Sequence, residues 1–243
     1  MGLHQLYGTK ARIGLMIPSS NITIEPEFYQ MAPHGVSTHI TRLTLHESTP
    51  DDLERMAGEA GSASELLATA SVNIIGYGCT VGSLLKGSLW DLNIAKQIQM
   101  ATGLPAVTTA TAVIEAFRAF GIRRAAVATP YNSELNLLVK RYLEHNGIKV
   151  VELTALGLSD SNRWHFQPLE ATYRLAKKAD RPDAEGLFIS CTDLKSVGVL
   201  ARLEKELGKP VFSSNISLLW AILRRLRIPH STDRYGSLLK RQS

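Results

Sequence analysis

The chain has only two cysteines, Cys79 and Cys191, in 243 residues. Two are too few for a disulfide-stapled fold, and with no histidine near either in sequence they are too few for a zinc site. Nor does any apolar run approach the roughly 20 residues that span a bilayer. The longest runs are strand-length and are broken by Gly, Pro or Asn within a few residues. Met1 to Arg12 is polar and lacks the apolar core of a secretory signal, so a cytoplasmic protein is expected. A Walker loop, a dinucleotide fingerprint, a metal-ligand spacing and a low-complexity tract are also missing. No metal and no cofactor is therefore expected. The seven histidines form no ligand or triad spacing, and most are expected to be solvated or to sit at helix ends.

Hydrophobic residues at 44% and charged residues at 20% are ordinary for a globular chain long enough to bury a sizeable core. The net charge is +5, and much of the basic excess is C-terminal (Arg224, Arg225, Arg227, Arg234, Lys240, Arg241). It comes without an aromatic-interleaved RNA motif, a zinc finger or a recognition helix. This reads as a solvated face that can help attract an anionic small molecule, with no nucleic-acid partner and no membrane contact.

What is present is alternation. Short apolar runs such as Ile13 to Ile17, Val72 to Tyr77, Ala125 to Thr129 and Gly186 to Ser190 are interleaved with helix-periodic segments, the pattern of βα units on parallel sheets. Thr49-Pro50-Asp51-Asp52 caps a helix running toward Ala70, and Asn132 caps one running to His145. A helix is expected from about Phe166 to Ala179 and another from Asp193 to Leu207. The chain also repeats itself. Pro18 and Pro130, Gly35 and Gly147, and Cys79 and Cys191 are each separated by 112 positions, with matching local settings. Further on, Gly103-Leu-Pro matches Gly208-Lys-Pro at an offset of 105, so the second post-cysteine segment is shorter. Landmarks at one offset predict two copies of one supersecondary unit. The expected halves are residues 1–113 plus 217–243, carrying Cys79, and 114–216, carrying Cys191.

Four unusual loops fall at carboxyl ends of strands, where open parallel sheets bind ligands: Pro18-Ser-Ser-Asn21, Gly78-Cys-Thr80, Pro130-Tyr-Asn-Ser133 and Ser190-Cys-Thr192. None contains Lys or Arg, so an anion held there would rest on neutral donors. A lone cysteine after a buried strand is usually a small core residue. Two at equivalent positions of a duplication have no packing reason to match, and they are expected as a catalytic pair in the cleft, each beside a helix N-terminus that favours thiolate. Ser19, Ser20, Asn21, Thr80, Val81, Tyr131, Asn132, Ser133 and Thr192 are the candidate substrate-binding residues. Asn162 joins them, from a Ser/Asp/Asn-rich loop with His165 that overhangs the cleft. Asp193, two residues after Cys191, is read either as an orienting group or as a plain dipole complement of an early helix turn.

Taken together, Ile17-Pro-Ser-Ser-Asn21 with Glu25, Gly78-Cys-Thr80, Thr129-Pro-Tyr131, Ser190-Cys-Thr192 and Gly208-Lys-Pro resemble the aspartate/glutamate racemase superfamily. They are most similar to its maleate cis–trans isomerase and arylmalonate decarboxylase branch, from Arg12 to about Arg241. The resemblance implies two Rossmann-like halves about a pseudo-twofold, no metal or organic cofactor, and a homo-oligomer, dimer or higher. It assigns Cys79 and Cys191 as the catalytic cysteines, with Asn21 and Tyr131 holding a substrate carboxylate. Arylmalonate decarboxylases of that branch have glycine in place of the first cysteine, so Cys79 disfavours decarboxylation. Thr80 is more like the racemases, and Asn162 sits in Asp160-Ser-Asn162 where the isomerases have an adjacent Asp-Asn pair. The expectation is a small-dicarboxylate isomerase, with Cys79 as nucleophile and Cys191 as acid/base. The rivals are a two-base racemase of aspartate, glutamate or a related compound, a decarboxylase, and a non-enzymatic carboxylate-binding module.

Overall fold

A computed structural model describes residues 7–241. His4 and the rest of the polar stretch before Tyr7 lie outside the described residues, as do the final two positions. The chain builds two four-stranded parallel sheets. The first is formed by β1 (Ala11–Pro18), β2 (Val36–Leu43), β3 (Ile74–Tyr77) and β4 (Ala106–Thr108), in the order β2-β1-β3-β4. The second is formed by β5 (Arg124–Tyr131), β6 (Lys149–Leu158), β7 (Gly186–Ile189) and β8 (Val211–Ser213), in the order β6-β5-β7-β8. The central strands β1, β3, β5 and β7 are buried on both faces, which is why they read as apolar runs without alternation.

The duplication extends to register. β1 pairs with β3 from Ile13↔Ile74 to Met16↔Tyr77, and β5 with β7 from Ala125↔Gly186 to Ala128↔Ile189. A shift of 112 positions converts the first ladder into the second residue by residue, the same offset that relates the cysteines.

Among the described residues ten α-helices cover the sheets: α1 (Ile24–Met31), α2 (Pro50–Gly58), α3 (Ala60–Thr69), α4 (Thr80–Leu84), α5 (Ser88–Thr102), α6 (Thr109–Phe120), α7 (Ser133–His145), α8 (Leu169–Ala179), α9 (Val197–Leu207) and α10 (Ser214–Arg225). The last helix of each repeat packs on the sheet of the other. Phe117 of α6 sets its ring 5.8 Å from Phe188 of β7 and 4.9 Å from Phe212 of β8, edge-on to both. In return α10 lies over the first sheet. A β-carbon on Gly76 of β3 would come within 2.9 Å of Ile222 Cδ1, so α10 packs its side-chain tips directly on this strand.

Three expected helices differ from the structure. The one opened by Pro50 breaks at Glu59 into α2 and α3. Another begins at Val197 instead of Asp193. Cys191 has φ +132°, outside helical space, and side chains hold residues 191–196 as an irregular loop. Likewise α8 starts at Leu169, behind Pro168, because the residue before a proline avoids helical geometry.

Because the Phe117 ring is buried by both strands of its host sheet, Phe117→Ala is expected to cost about 3–5 kcal/mol. Urea unfolding measures it; a loss under about 1 kcal/mol would show that the exchanged helix does not hold the halves together.

Candidate active site

Both cysteines are free thiols and line one cleft at the carboxyl ends of β3 and β7, Cys79 at 5% exposure and Cys191 at 2%. Cys79 caps the N-terminus of α4, its sulfur accepting from the Gly82 N–H at 3.4 Å. Cys191 is followed by no helix; its sulfur accepts from the Asp193 N–H at 3.3 Å, and its own N–H donates to Ser214 Oγ at 3.1 Å. Tyr131 lines the same cleft as Cys191. The Tyr131 ring stands edge-on to Trp164, 5.0 Å between centroids.

The loops expected from sequence do converge here, although not every candidate side chain reaches the cleft. Ser20, Asn21, Thr80, Val81, Tyr131 and Thr192 line it. Asn21 joins the halves: its Nδ2 donates to Thr192 Oγ1 at 3.1 Å, while its Oδ1 accepts from the N–H groups of Thr23 and Ile24 at the start of α1. One Nδ2 hydrogen is left for a ligand. Thr80 Oγ1 donates to Ser214 Oγ at 2.9 Å, which in turn holds the Cys191 N–H.

The other candidates are placed elsewhere. The Ser19 hydroxyl is occupied by the backbone of Leu45, accepting from its N–H at 3.1 Å and donating to its carbonyl at 3.3 Å. Asn132 caps α7 by accepting from the Leu135 N–H, and Ser133 is exposed beside it. Asn162 is exposed and lines a neighbouring polar groove with Asn132 and His46, while Ser161 takes the cleft-facing place. A one-residue difference on a tight helical turn points the side chain away, and the Asp160-Ser-Asn162 spacing was the signal.

Sequence reasoning also missed the supports. His165, expected in the loop over the cleft but without a partner, is buried and pairs through Nδ1 with Asp193 Oδ2 at 2.8 Å. The other Asp193 oxygen accepts from the Ile22 N–H at 3.1 Å. Asp193 lines the cleft and belongs to no helix, so the dipole-complement reading of it fails. Leu45, Ser48 and Trp164 complete the walls. Arg42 shapes the first loop from outside the cleft lining, donating to the carbonyls of Ser19 at 3.1 Å and Asn21 at 2.8 Å and pairing with Glu25 at 2.9 Å.

Burial governs the electrostatics. It pushes the Cys79 thiol up to about 12, with the charge of Asp193 adding and the Gly82 N–H opposing. Cys191 is pushed well above the ordinary thiol range by burial and then by Asp193, against the Asp193 N–H and the Tyr131 hydroxyl. The expected thiolate-favouring helix ends are thus outweighed: one is a five-residue helix and the other is absent. Burial also raises Asp193, with His165 opposing. Among the described residues no group of three or more His, Cys, Asp or Glu could hold a metal ion, and no Lys or Arg lines the cleft. What the arrangement can do is present two thiols to one small molecule amid neutral hydrogen-bond donors.

Two duplicated parallel sheets with a cysteine from each meeting in one cleft define a class of α/β enzymes built on paired thiols. The chain belongs to the arylmalonate decarboxylase family, whose model matches residues 13–239. It is 30% identical over 242 residues to a maleate isomerase of Nocardia farcinica, covering 96% of each chain. It is 24% identical over 214 residues to an arylmalonate decarboxylase of Bordetella bronchiseptica, covering 87% of this chain and 89% of that one. Among solved structures, a maleate isomerase variant from Pseudomonas putida S16 with maleate superposes at TM-score 0.91 and 29% identity, covering 95% of this chain and 98% of that one. A cysteine-to-serine mutant of the Nocardia farcinica maleate cis–trans isomerase, with a covalently bound succinylcysteine intermediate, superposes at TM-score 0.89 and 29% identity, covering 96% and 99%.

The thiol shifts give a direct expectation. Alkylation of Cys79 by iodoacetamide should rise roughly tenfold per pH unit from pH 7 to 10 without levelling off, since thiolate is the nucleophile and stays a minor species there. Peptide mass spectrometry of timed reactions checks it, and a plateau near pH 8.5 would mean the thiol is not raised.

Proposed function

We propose that the chain is a cofactor-independent cis–trans isomerase of a small unsaturated dicarboxylate, with maleate as substrate. The observation that carries this reading is the pair of buried free thiols lining one cleft from equivalent ends of β3 and β7. The likeness to maleate isomerases over nearly the whole chain supports it.

In this reading Cys79 enters and leaves the cycle as thiolate, its proton having gone to solvent beforehand, with Cys191 as thiol, and the Cys79 sulfur bonds to one alkene carbon. The π pair moves to the neighbouring carbon and into its carboxylate as an enolate. Asn21 Nδ2, the Tyr131 hydroxyl and loop N–H groups stabilise that charge with dipoles already in place. The Cys191 thiol protonates the carbanion, leaving a succinyl thioether on Cys79 and a thiolate at Cys191. Rotation about what is now a single bond brings the two carboxylates apart. Cys191 thiolate then takes a proton from the same carbon, the double bond re-forms, and the C–S pair returns to Cys79. No net proton or electron is consumed. Burial opposes the Cys79 thiolate that the first step needs, while it keeps Cys191 a thiol until the adduct forms and makes the Cys191 thiolate a strong base for the return transfer, so the two titrate as a coupled pair.

Ser20, Thr80, Val81 and Thr192 complete the proposed substrate contacts. Residues 1–113 plus 217–243 and 114–216 are the proposed structural halves. A homo-oligomer is proposed, as is a cytoplasmic location, where reducing conditions keep both thiols free.

Proton NMR of the enzyme with maleate should show fumarate forming, at a rate unchanged by chelator. Cys79→Ser and Cys191→Ser should each lower kcat roughly a thousandfold or more, since a hydroxyl is far less ionised than a thiol. Asn21→Ala and Tyr131→Phe should chiefly weaken substrate binding, roughly tenfold to a hundredfold, the value of a hydrogen bond to a charge. A single enantiomer of aspartate or glutamate in heavy water should gain no α-deuterium. Rapid α-deuteration with no fumarate from maleate would replace the isomerase by a racemase.

A further inference from the structure

We infer that Glu27, on α1 of the first half, is a positioning residue for Cys191 of the second. Glu27 is buried, and every partner it has is a neutral donor. Its Oε1 accepts from the N–H groups of Ser196 at 2.7 Å and Val197 at 3.1 Å, and its Oε2 from Asn215 Nδ2 at 2.7 Å and Ser196 Oγ at 3.4 Å. These bonds cap α9, whose own preceding residue supplies no cap. They also close the far end of the loop 191–196. The near end of that loop holds Cys191 at φ +132°, a conformation a side-chain-bearing residue keeps only when its surroundings impose it.

Asn215 carries the constraint back to the cysteine. The same Nδ2 that donates to Glu27 also donates to the Thr192 carbonyl at 3.1 Å, so one nitrogen serves both bonds. Asn215 Oδ1 is buried without a partner. The amide can be oriented this way only while it faces a pure acceptor. A glutamine at 27 presents its own NH₂, which forces Asn215 to turn its oxygen toward it. That oxygen then also faces the Thr192 carbonyl, and the grip on the residue after Cys191 is lost. The carboxylate therefore does something its isosteric amide cannot.

The placement also couples the two ends of a bound substrate. α1 is capped by Asn21, the proposed carboxylate binder, and carries Glu27 one turn further along. One short rigid helix thus fixes the spacing between a carboxylate site and the proposed acid/base thiol.

The inference rests on the isomerase reading for its effect on turnover, but it also has a readout independent of substrate. In Glu27→Gln, iodoacetamide should alkylate Cys191 roughly tenfold faster while Cys79 keeps its wild-type rate, as an opening confined to one loop gives. On maleate, kcat should fall roughly tenfold or more with KM within about twofold, because the Cys191 step is slowed while Asn21 keeps its hold on the start of α1. Asn215→Ala, which leaves the cap on α9 in place, should give the same selective shift, and it decides the matter alone if Glu27→Gln does not fold. Equal acceleration at both cysteines, or no change at either, overturns the role of Glu27. Wild-type enzyme inert toward maleate would sink the isomerase reading while leaving the alkylation ratio to judge Glu27.

Discussion

The structure depends on a seam of hydrogen bonds by which the first half grips the loop after Cys191. Asn21 reaches Thr192, the Ile22 N–H and the Thr23 hydroxyl reach Asp193, and Glu27 reaches Ser196 and Val197. Without this seam the strained backbone at Cys191 has no reason to persist, and the segment has a shorter route into helix α9. With it, a thiol is held at the floor of a cleft that neither half could form alone. Most of these bonds are buried, where an unmade partner costs about 1–3 kcal/mol, so the seam is closer to all-or-none than to a set of independent contacts.

The exchanged helices make the seam possible. By packing α6 on the second sheet and α10 on the first, the chain ties the halves through apolar surface and leaves the polar loop ends free for binding. α10 has a second task. It begins with Ser214 and Asn215, which hold the Cys191 N–H and the Thr192 carbonyl from beneath. Fold and site are thus joined at one helix start. The site itself gathers neutral donors around two raised thiols and keeps Lys and Arg out of the lining. Such a cleft favours thiols that exchange protons with a bound substrate over thiolates locked in ion pairs.

The duplication, the parallel βα architecture and the cysteine convergence were legible because each left a repeated mark: a Pro, a Gly and a Cys at one offset, and apolar runs of strand length. What stayed hidden shares one physical cause. Glu27, Ser214, Asn215 and His165 act through partners up to 188 positions away, and no local pattern distinguishes a buried carboxylate bonded to neutral donors from an exposed one on the same helix. Asn132 and Ser133 went the other way: their position beside Tyr131 suggested binding, but a residue at a helix start uses its side chain on the backbone first. Ser19 was lost to the backbone of Leu45, 26 positions away, which no local pattern shows. The thiols were misjudged because helix ends are visible in sequence and burial is not.

The central claim is that Cys79 bonds to substrate while Cys191 handles the proton, both within one cleft. The most direct measurement is the peptide mass spectrum of Cys191→Ser after incubation with maleate and an acid quench. The account predicts a gain of one maleic acid on the Cys79 peptide and nowhere else, because the adduct forms but cannot be readily released. An unmodified Cys79 peptide, or the added mass on another residue, would contradict it.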